Sequence, residues 1–269
     1  MPMLRQSSRL IALSLSAVLF SASAFAQPGQ KPPYEPQVGQ AGKDVVWVPT
    51  PQVLVEKMLD MAKVTPQDYV IDLGSGDGRT VITAAKRGAT ALGVEFNPDM
   101  VALSEFNAKD AGVVDKVKFV RGDIFEYDFS KANVVTMFLL PSINMTLRPK
   151  LLDMAPGTRI VTNSFTMEDW EADQSETVSD DCTSWCTAHL WIVPAKVDGV
   201  WQLPQGTLTI DQEFQNFTGT LGSTAISGGK MDGAAMEFSV GGQKYTGTVD
   251  GNTIRGTSGN GQSWTAARK

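Results

Sequence analysis

Apolar residues in the first two-thirds of the chain alternate between short continuous runs and stretches with helical spacing. Short apolar runs predict strands, and they lie at residues 69–73, 90–94, 117–121, 134–140 and 158–164. Helical spacing predicts helices at residues 53–62, 79–87, 98–111 and 143–154. This alternation predicts an α/β fold with a doubly wound, mostly parallel sheet covered on both faces, as in Rossmann-like proteins. Residues 176–178 and 189–193 follow without an intervening helix, which predicts an antiparallel edge.

Residues 199–269 follow a different pattern and hold more than half of the chain's 25 glycines. Short alternating segments are separated by turn pairs such as Asp232-Gly233 and Asp250-Gly251. This pattern predicts a β-meander of seven or eight strands, closed into a small barrel or packed as a sandwich. We therefore expect an α/β domain at residues 44–194 and a separate β domain at 199–269.

The N-terminus has the pattern of an export signal. Arg5 and Arg9 precede an apolar run, and Ala24-Phe25-Ala26 matches a cleavage site, so the signal peptide would span residues 1–26. A membrane anchor is the alternative, but the apolar run is shorter than the roughly 20 residues that a spanning helix needs. We expect an exported protein, periplasmic or secreted, with no membrane span after cleavage. A flexible leader rich in Pro, Gly and Gln would follow at residues 27–43.

Charge and cysteine content narrow the choice of partners. The net charge is −6 and the pI about 4.9, so the surface repels phosphate backbones, and we expect no nucleic-acid partner. A basic protein side chain is an easier substrate for such a surface. The only cysteines, Cys182 and Cys186, predict a local disulfide in an oxidising compartment, with two small packed thiols as the alternative. With His189 they supply only three ligands, which is a poor zinc site.

The segment from Asp72 to Gly78 reads DLGSGDG, and it follows the first predicted strand and opens a helix. Glu95 ends the second strand and Asp123 follows the third. A carboxylate at Glu95 would accept hydrogen bonds from both ribose hydroxyls, and one at Asp123 from an adenine amino group. NAD is a competing ligand, but the third glycine comes one position early and Asp77 would lie beside the pyrophosphate. In the simplest alternative, the glycines merely turn the chain.

These residues also carry a family resemblance. Residues 45–173 resemble the class I S-adenosylmethionine (SAM) dependent methyltransferases, and most nearly the small mitochondrial-type protein-lysine methyltransferases. The matching pieces, besides the glycine motif, are Val-Pro-Thr-Pro at 48–51, Gly-Val-Glu-Phe-Asn-Pro at 93–98, Gly-Asp-Ile-Phe at 122–125 and the strand at 133–141. The resemblance implies SAM as cofactor and a lysine of a protein as methyl acceptor. The resemblance implies Thr50, Phe96 and Phe138 as further cofactor-binding residues, so the full predicted set is Thr50, Asp72, Gly74, Ser75, Gly76, Asp77, Gly78, Glu95, Phe96, Asp123, Ile124 and Phe138.

One departure from the amine methyltransferases keeps two other functions open. Residues 138–141 read Phe-Leu-Leu-Pro, without a side chain that accepts a hydrogen bond from an amine, and no general base is evident. A non-catalytic protein that binds SAM or another nucleoside is therefore one alternative, and an interaction protein that acts through its β domain is the other. We interpret the six tryptophans as core residues and His189 as a packed strand residue.

Overall fold

A computed structural model describes residues 32–269, and its first domain contains a seven-stranded mixed sheet. The strands are β1 (Tyr69–Leu73), β2 (Thr90–Glu95), β3 (Val117–Arg121), β4 (Val134–Met137), β5 (Arg159–Asn163), β6 (Gln174–Thr177) and β7 (Thr187–Ile192). Their order is β3-β2-β1-β4-β5-β7-β6. β1 to β5 are parallel, and β7 is antiparallel to both β5 and β6. The predicted α/β sheet with its antiparallel edge is thus confirmed.

Helices cover both faces because successive residues of each buried strand point to opposite sides. The helices are α1 (Gln52–Met61), α2 (Arg79–Lys86), α3 (Pro98–Asp110) and α4 (Pro141–Leu152). Val70 packs with residues of α1, α2 and α3 on one face, whereas Ile71 packs with α4 on the other. The strand predicted at 134–140 ends at Met137, since residues 138–140 leave the sheet and Pro141 begins α4.

A disulfide closes the loop between β6 and β7. Cys182 and Cys186 are bonded, and the backbone N–H of Val178 donates to the carbonyl of Cys186 across the same loop. At the start of β7, the carbonyl of Thr187 accepts from the N–H of Ser164. The loop is therefore fixed to the end of β5.

The C-terminal segment forms a closed eight-stranded antiparallel barrel, one of the two architectures that the sequence predicts. The strands are β8 (Gly199–Leu203), β9 (Gly206–Glu213), β10 (Asn216–Leu221), β11 (Thr224–Asp232), β12 (Ala235–Val240), β13 (Gln243–Asp250), β14 (Thr253–Ser258) and β15 (Ser263–Arg268). The barrel closes because β8 pairs with both β9 and β15. Trp201, Phe238 and Trp264 fill its interior.

The turn between β9 and β10 joins the barrel to the first domain. The ring of Phe214 stacks on Trp170, with centroids 5.9 Å apart, and the guanidinium of Arg148 lies 5.4 Å from the centre of the same ring. The side chain of Gln215 donates to the carbonyl of Glu171 at 2.8 Å. An aromatic contact and a side-chain-to-backbone hydrogen bond thus bind the two domains together.

The predicted signal peptide lies outside the described residues, as do residues 27–31 of the predicted leader. The rest of the leader folds back on itself, with the N–H of Gly39 donating to the carbonyl of Trp47 and the N–H of Trp47 to that of Gln40. Within residues 32–269, none of the helices has the length and apolar character that crossing a membrane requires.

Candidate functional site

A cavity of about 220 Å³ opens at the carboxyl ends of the parallel strands, beside the point where the strand order reverses between β1 and β4. Ligands of open α/β sheets bind at this position because the connections leave the sheet in opposite directions there. Residues from the ends of β1, β2, β4 and β5, and from the segment before α1, line the cavity. The geometry therefore indicates a binding site for a small molecule.

The glycine loop after β1 forms the floor of this cavity. Gly74, Gly76 and Gly78 all have positive φ angles, which residues with a Cβ rarely adopt. The N–H groups of Gly74 and Ser75 donate to the carbonyl of Val94 at the end of β2. This bonding fixes the loop to the neighbouring strand.

Side chains of α3 and the carboxylate of Glu95 complete the support of the loop. Ser104 donates to the carbonyl of Gly76 at 2.8 Å, and Asn107 to that of Asp77 at 2.9 Å. Glu95 accepts from the N–H of Gly76 and from the N–H of Asn97, both at 2.9 Å. Because two backbone N–H groups orient this carboxylate, its remaining lone pairs point in fixed directions.

Asp72 is buried beneath the cavity at the end of β1. It accepts a hydrogen bond of 2.6 Å from the hydroxyl of Thr136 in the adjacent strand β4. Burial raises the pKa of Asp72 to about 7, although the Thr136 hydrogen bond favours the ionised form, and the nearby carboxylates of Glu95 and Asp77 add to the rise. A cation bound above Asp72 would offset the free-energy cost of ionising this buried carboxyl group.

Asp123, expected to bind an adenine amino group, already has two partners. One oxygen accepts from the N–H of Phe125 at 2.9 Å, and the other pairs with the ammonium of Lys43 at 2.5 Å. The Lys43 hydrogen bond lowers the pKa of Asp123. Lys43 also lies over the rings of Phe96 and Phe125. The N-terminal segment thus covers this end of the cavity, and a ligand that uses Asp123 has to share it with Lys43 or displace it.

Asp77 likewise has a cationic partner. Its carboxylate forms an ion pair with the guanidinium of Arg79 at 2.5 Å, and Arg79 also donates to the carbonyl of Thr50. Arg79 therefore offsets the negative charge of Asp77 at this edge of the cavity. Glu95 and Asp72 remain without a cationic partner among the described residues.

The structure brings eleven of the twelve predicted binding residues into the cavity lining. Gly78 does not line the cavity, because it turns the chain into α2 and a Cβ there would lie 2.8 Å from the ring of Phe119. Asn163 and Ser164, at and just after the end of β5, do not line the cavity, and the side chain of Asn163 donates to the hydroxyl of Thr50.

Sequence reasoning missed several other residues of the site. Four of the six tryptophans are core residues as expected, but Trp47 covers Gly76 and Trp185 lies at the mouth of the cavity, 44% exposed. Phe165 lies beside Trp185. Trp185 belongs to the sequence Cys-Thr-Ser-Trp-Cys, and a large aromatic residue inside a short disulfide loop was the available signal.

The polar groups that line the cavity fit SAM and do not fit a dinucleotide. Carboxylates lie at the ends of β1 and β2 and just after β3, where an ammonium, a ribose diol and an adenine amino group would each find an acceptor. The cations that line the cavity, Lys43 and Arg79, are each paired with a carboxylate. In the part of the chain that the structure describes, a pyrophosphate would meet acidic groups without a free cation to balance its charge.

The site lies within a segment that matches known methyltransferases. The sequence profile described as the ANTKMT methyltransferase domain matches residues 72–174. A protein-lysine N-methyltransferase of Saccharolobus islandicus (strain REY15A) is 41% identical over 152 residues, which are 55% of this chain and 94% of that protein. An adenine nucleotide translocase lysine N-methyltransferase of Mus musculus is 35% identical over 119 residues. These are 44% of this chain and 52% of the mouse protein, so the chain spans about half the length of that relative.

A solved structure gives the same fold. It is described as an RNA methyltransferase from Salinibacter ruber in complex with S-adenosyl-L-homocysteine, and it is 44% identical to this chain. The alignment covers 56% of this chain and 96% of that one, with a TM-score of 0.53. The alignments with this structure and with the Saccharolobus protein each cover a little over half of this chain and nearly all of the other protein.

Proposed function

We propose that this chain, which belongs to the protein-lysine N-methyltransferase family, transfers a methyl group from SAM to a lysine side chain of a protein. The observation that carries the proposal is the cavity in which Asp72, Glu95 and Asp123 meet beside the glycine loop. Each carboxylate lies at the end of a different strand, so only the folded sheet brings them together.

SAM, when bound, supplies an electrophilic methyl group on a sulfonium. The chain's own residues would bind SAM and orient it. Glu95 would hold the ribose, since two backbone N–H groups already fix its direction. Asp72 would accept from the amino-acid ammonium, and Asp123 from the adenine. Ile124 would cover the ring face of the adenine.

The acceptor lysine must lose a proton before it attacks, because an ammonium has no lone pair. The ordinary pKa of a lysine is about 10.4, and desolvation lowers it. Apolar residues 137–140, together with Ile143, Phe165 and Trp185, line the side of the cavity that is formed by β4 and β5. An amine that enters beside them would leave water and become easier to deprotonate. Methyl transfer then requires mainly that the amine is aligned with the methyl group of SAM and that water is excluded.

RNA is the second acceptor to consider, since the solved structure with 44% identity is described as an RNA methyltransferase. The charge of this chain favours a protein. A net charge of −6 and a pI of about 4.9 oppose the phosphate contacts from which RNA binding derives most of its affinity.

We also propose that the acceptor lies outside the cytoplasm. The signal-like N-terminal segment supports this proposal. The Cys182–Cys186 disulfide supports it too, because such bonds persist in oxidising compartments. The barrel contains no histidine or cysteine, which favours a role in substrate recruitment over one in chemistry.

The test has a cofactor part and an acceptor part. The chain from Gln27 is titrated by calorimetry with SAM and with NAD, as wild type and as Glu95→Ala. We expect micromolar SAM binding that Glu95→Ala abolishes, and no NAD binding. Labelled SAM is then incubated with the enzyme and with periplasmic protein or total RNA. Label in protein supports the proposal, label in RNA alone overturns the lysine assignment, and binding without any transfer indicates a non-catalytic sensor.

A further inference from the structure

Three aromatic side chains form one continuous wall at the mouth of the cavity. Phe138 follows β4, Phe165 follows β5, and Trp185 precedes β7. Their ring centroids are 6.0 Å apart for Phe138 and Phe165, 5.8 Å for Phe138 and Trp185, and 5.3 Å for Phe165 and Trp185. β7 is antiparallel to β5, so its start lies at the same edge as the ends of β4 and β5. The sheet topology therefore assembles this wall.

The wall lies apart from the three carboxylates assigned to the cofactor, and it includes Phe138, which was expected to bind the cofactor. Asp72, Glu95 and Asp123 belong to β1, β2 and the segment after β3, whereas the aromatic wall belongs to the β4 and β5 half. Within the described residues, the cavity positions that β4, β5 and the disulfide loop contribute carry no charge. An occupant of this half has to be largely apolar along its length.

Trp185 is held at the cavity mouth by local covalent structure. It lies between the bonded Cys182 and Cys186, and its φ angle is positive, which is unusual for a bulky residue. A half-exposed tryptophan in this conformation contributes little to the stability of the fold. Phe165 beside it is fixed by its carbonyl, which accepts from the hydroxyl of Thr162 at 2.5 Å.

The chemistry of the wall matches a lysine side chain. The four methylenes of a lysine pack against aromatic rings, and an ammonium within about 6 Å of a ring centre is attracted by the ring face. A methylated ammonium is more weakly hydrated and binds aromatic faces well. Asp180 and Asp181 are exposed on the same loop and would attract a basic segment.

We infer that Phe138, Phe165 and Trp185 form the acceptor subsite, that this subsite binds the stem and the methylated ammonium of a lysine, and that the Cys182–Cys186 disulfide holds Trp185 in place. This inference rests on the proposed function, because it assigns the acceptor side of the same site. One consequence is that reducing the disulfide weakens acceptor binding and leaves cofactor binding unchanged.

The test measures binding and does not require turnover. The full chain is saturated with S-adenosyl-homocysteine and titrated by calorimetry with Nα-acetyl-Nε-trimethyl-lysine amide. The matched probe is the neutral isostere in which carbon replaces the quaternary nitrogen. We expect the charged probe to bind about tenfold more tightly than the isostere, which is the size of a partly desolvated cation–π contact.

Variants locate the effect. Trp185→Ala should remove the preference for the charged probe, and Trp185→Phe should keep most of it. Cys182→Ser with Cys186→Ser, or reduction of the wild type, should lower the affinity for the charged probe about as much as Trp185→Ala. S-adenosyl-homocysteine affinity should be equal in all variants, which also shows that they are folded.

The outcomes separate the two claims. If the wild type does not bind S-adenosyl-homocysteine, the proposed function itself fails, and with it the inference. If it binds S-adenosyl-homocysteine but does not distinguish the charged probe from the isostere, the inference is overturned while the function stands. Equal binding by Trp185→Ala and wild type also overturns the inference, and full affinity after reduction overturns the role of the disulfide.

Discussion

Asp72→Asn tests the electrostatic account of the site. Asp72 is buried, and its pKa rises from the ordinary 3.8 to about 7, mainly through burial. The unfolded chain ionises Asp72 near 3.8, so between the two pKa values the folded state binds more protons than the unfolded one. Stability from this group is therefore fully present below about pH 4 and is lost as pH rises to about 7. Asparagine keeps the shape and the Thr136 hydrogen bond but carries no charge.

The magnitude follows from the two pKa values. Each pH unit between them corresponds to about 1.4 kcal/mol, so ionised Asp72 costs the folded state about 4 kcal/mol above pH 7. At pH 5 the cost is smaller, at about 2 kcal/mol, because that pH lies only a little more than one unit above the pKa of the unfolded chain. We expect the stability advantage of Asp72→Asn over wild type to grow by about 2–3 kcal/mol between pH 5 and pH 8.5.

Urea unfolding of the ligand-free protein at several pH values measures this difference. Thr136→Val is the matched control, since it removes the hydrogen bond and keeps the charge. It should raise the pKa of Asp72 further, so the loss of stability should continue to higher pH than in the wild type. A stability difference between Asp72→Asn and wild type that does not change from pH 5 to pH 8.5 would refute the account. Asp72→Asn should also weaken SAM binding, most strongly at high pH.

Three further changes test other parts of the structure. A Cβ at Gly78 would meet an aromatic ring at 2.8 Å, whereas one at Gly112, also at positive φ, would meet open space. Gly78→Ala should therefore cost about 2–5 kcal/mol and Gly112→Ala about 1 kcal/mol, and equal losses in thermal unfolding would contradict the packing argument. Phe214→Ala removes the stack on Trp170 and should cost about 2 kcal/mol in urea unfolding. An unchanged midpoint would exclude that contact as a domain joint. In the wild type, salt should speed SAM association because it screens the ion pair between Lys43 and Asp123. Lys43→Gln removes this ion pair, so SAM association in stopped-flow measurements should be faster and should no longer be accelerated by salt. An unchanged salt dependence would show that Lys43 does not compete for the site.

Much of the fold follows from local sequence patterns. The strand and helix spacing predicted the α/β domain, and the turn pairs predicted a β-meander, because both depend on periodicity within short segments. Element ends were less accurate. The run from Val134 to Leu140 is apolar apart from Thr136, yet the strand ends at Met137 because Pro141 begins a helix. Closure of the barrel depends on pairing between β8 and β15, the first and last strands of the domain, and a pairing so distant in sequence leaves no local signal.

The residues of the site likewise fall into those that the sequence predicts and those that it does not. Asp72, Glu95 and Asp123 could be predicted because each follows or ends a recognisable strand. The contribution of Lys43 and Trp47 could not, since a segment rich in proline and glycine gives no sign of where it packs. Phe138 was predicted in the site, but its grouping with Phe165 and Trp185 was not, because the three side chains become neighbours only through the order of β4, β5 and β7.

The most direct measurement of the central claim is the chemical identity of the methylated group. Two peptides that differ only in lysine or arginine at one position are incubated with the enzyme and methyl-labelled SAM, and the products are hydrolysed and identified by mass spectrometry. We predict Nε-methyl-lysine from the lysine peptide, none from the arginine peptide, and none from either with Glu95→Ala. Label on arginine, or equal yields with Glu95→Ala, would contradict the proposed function.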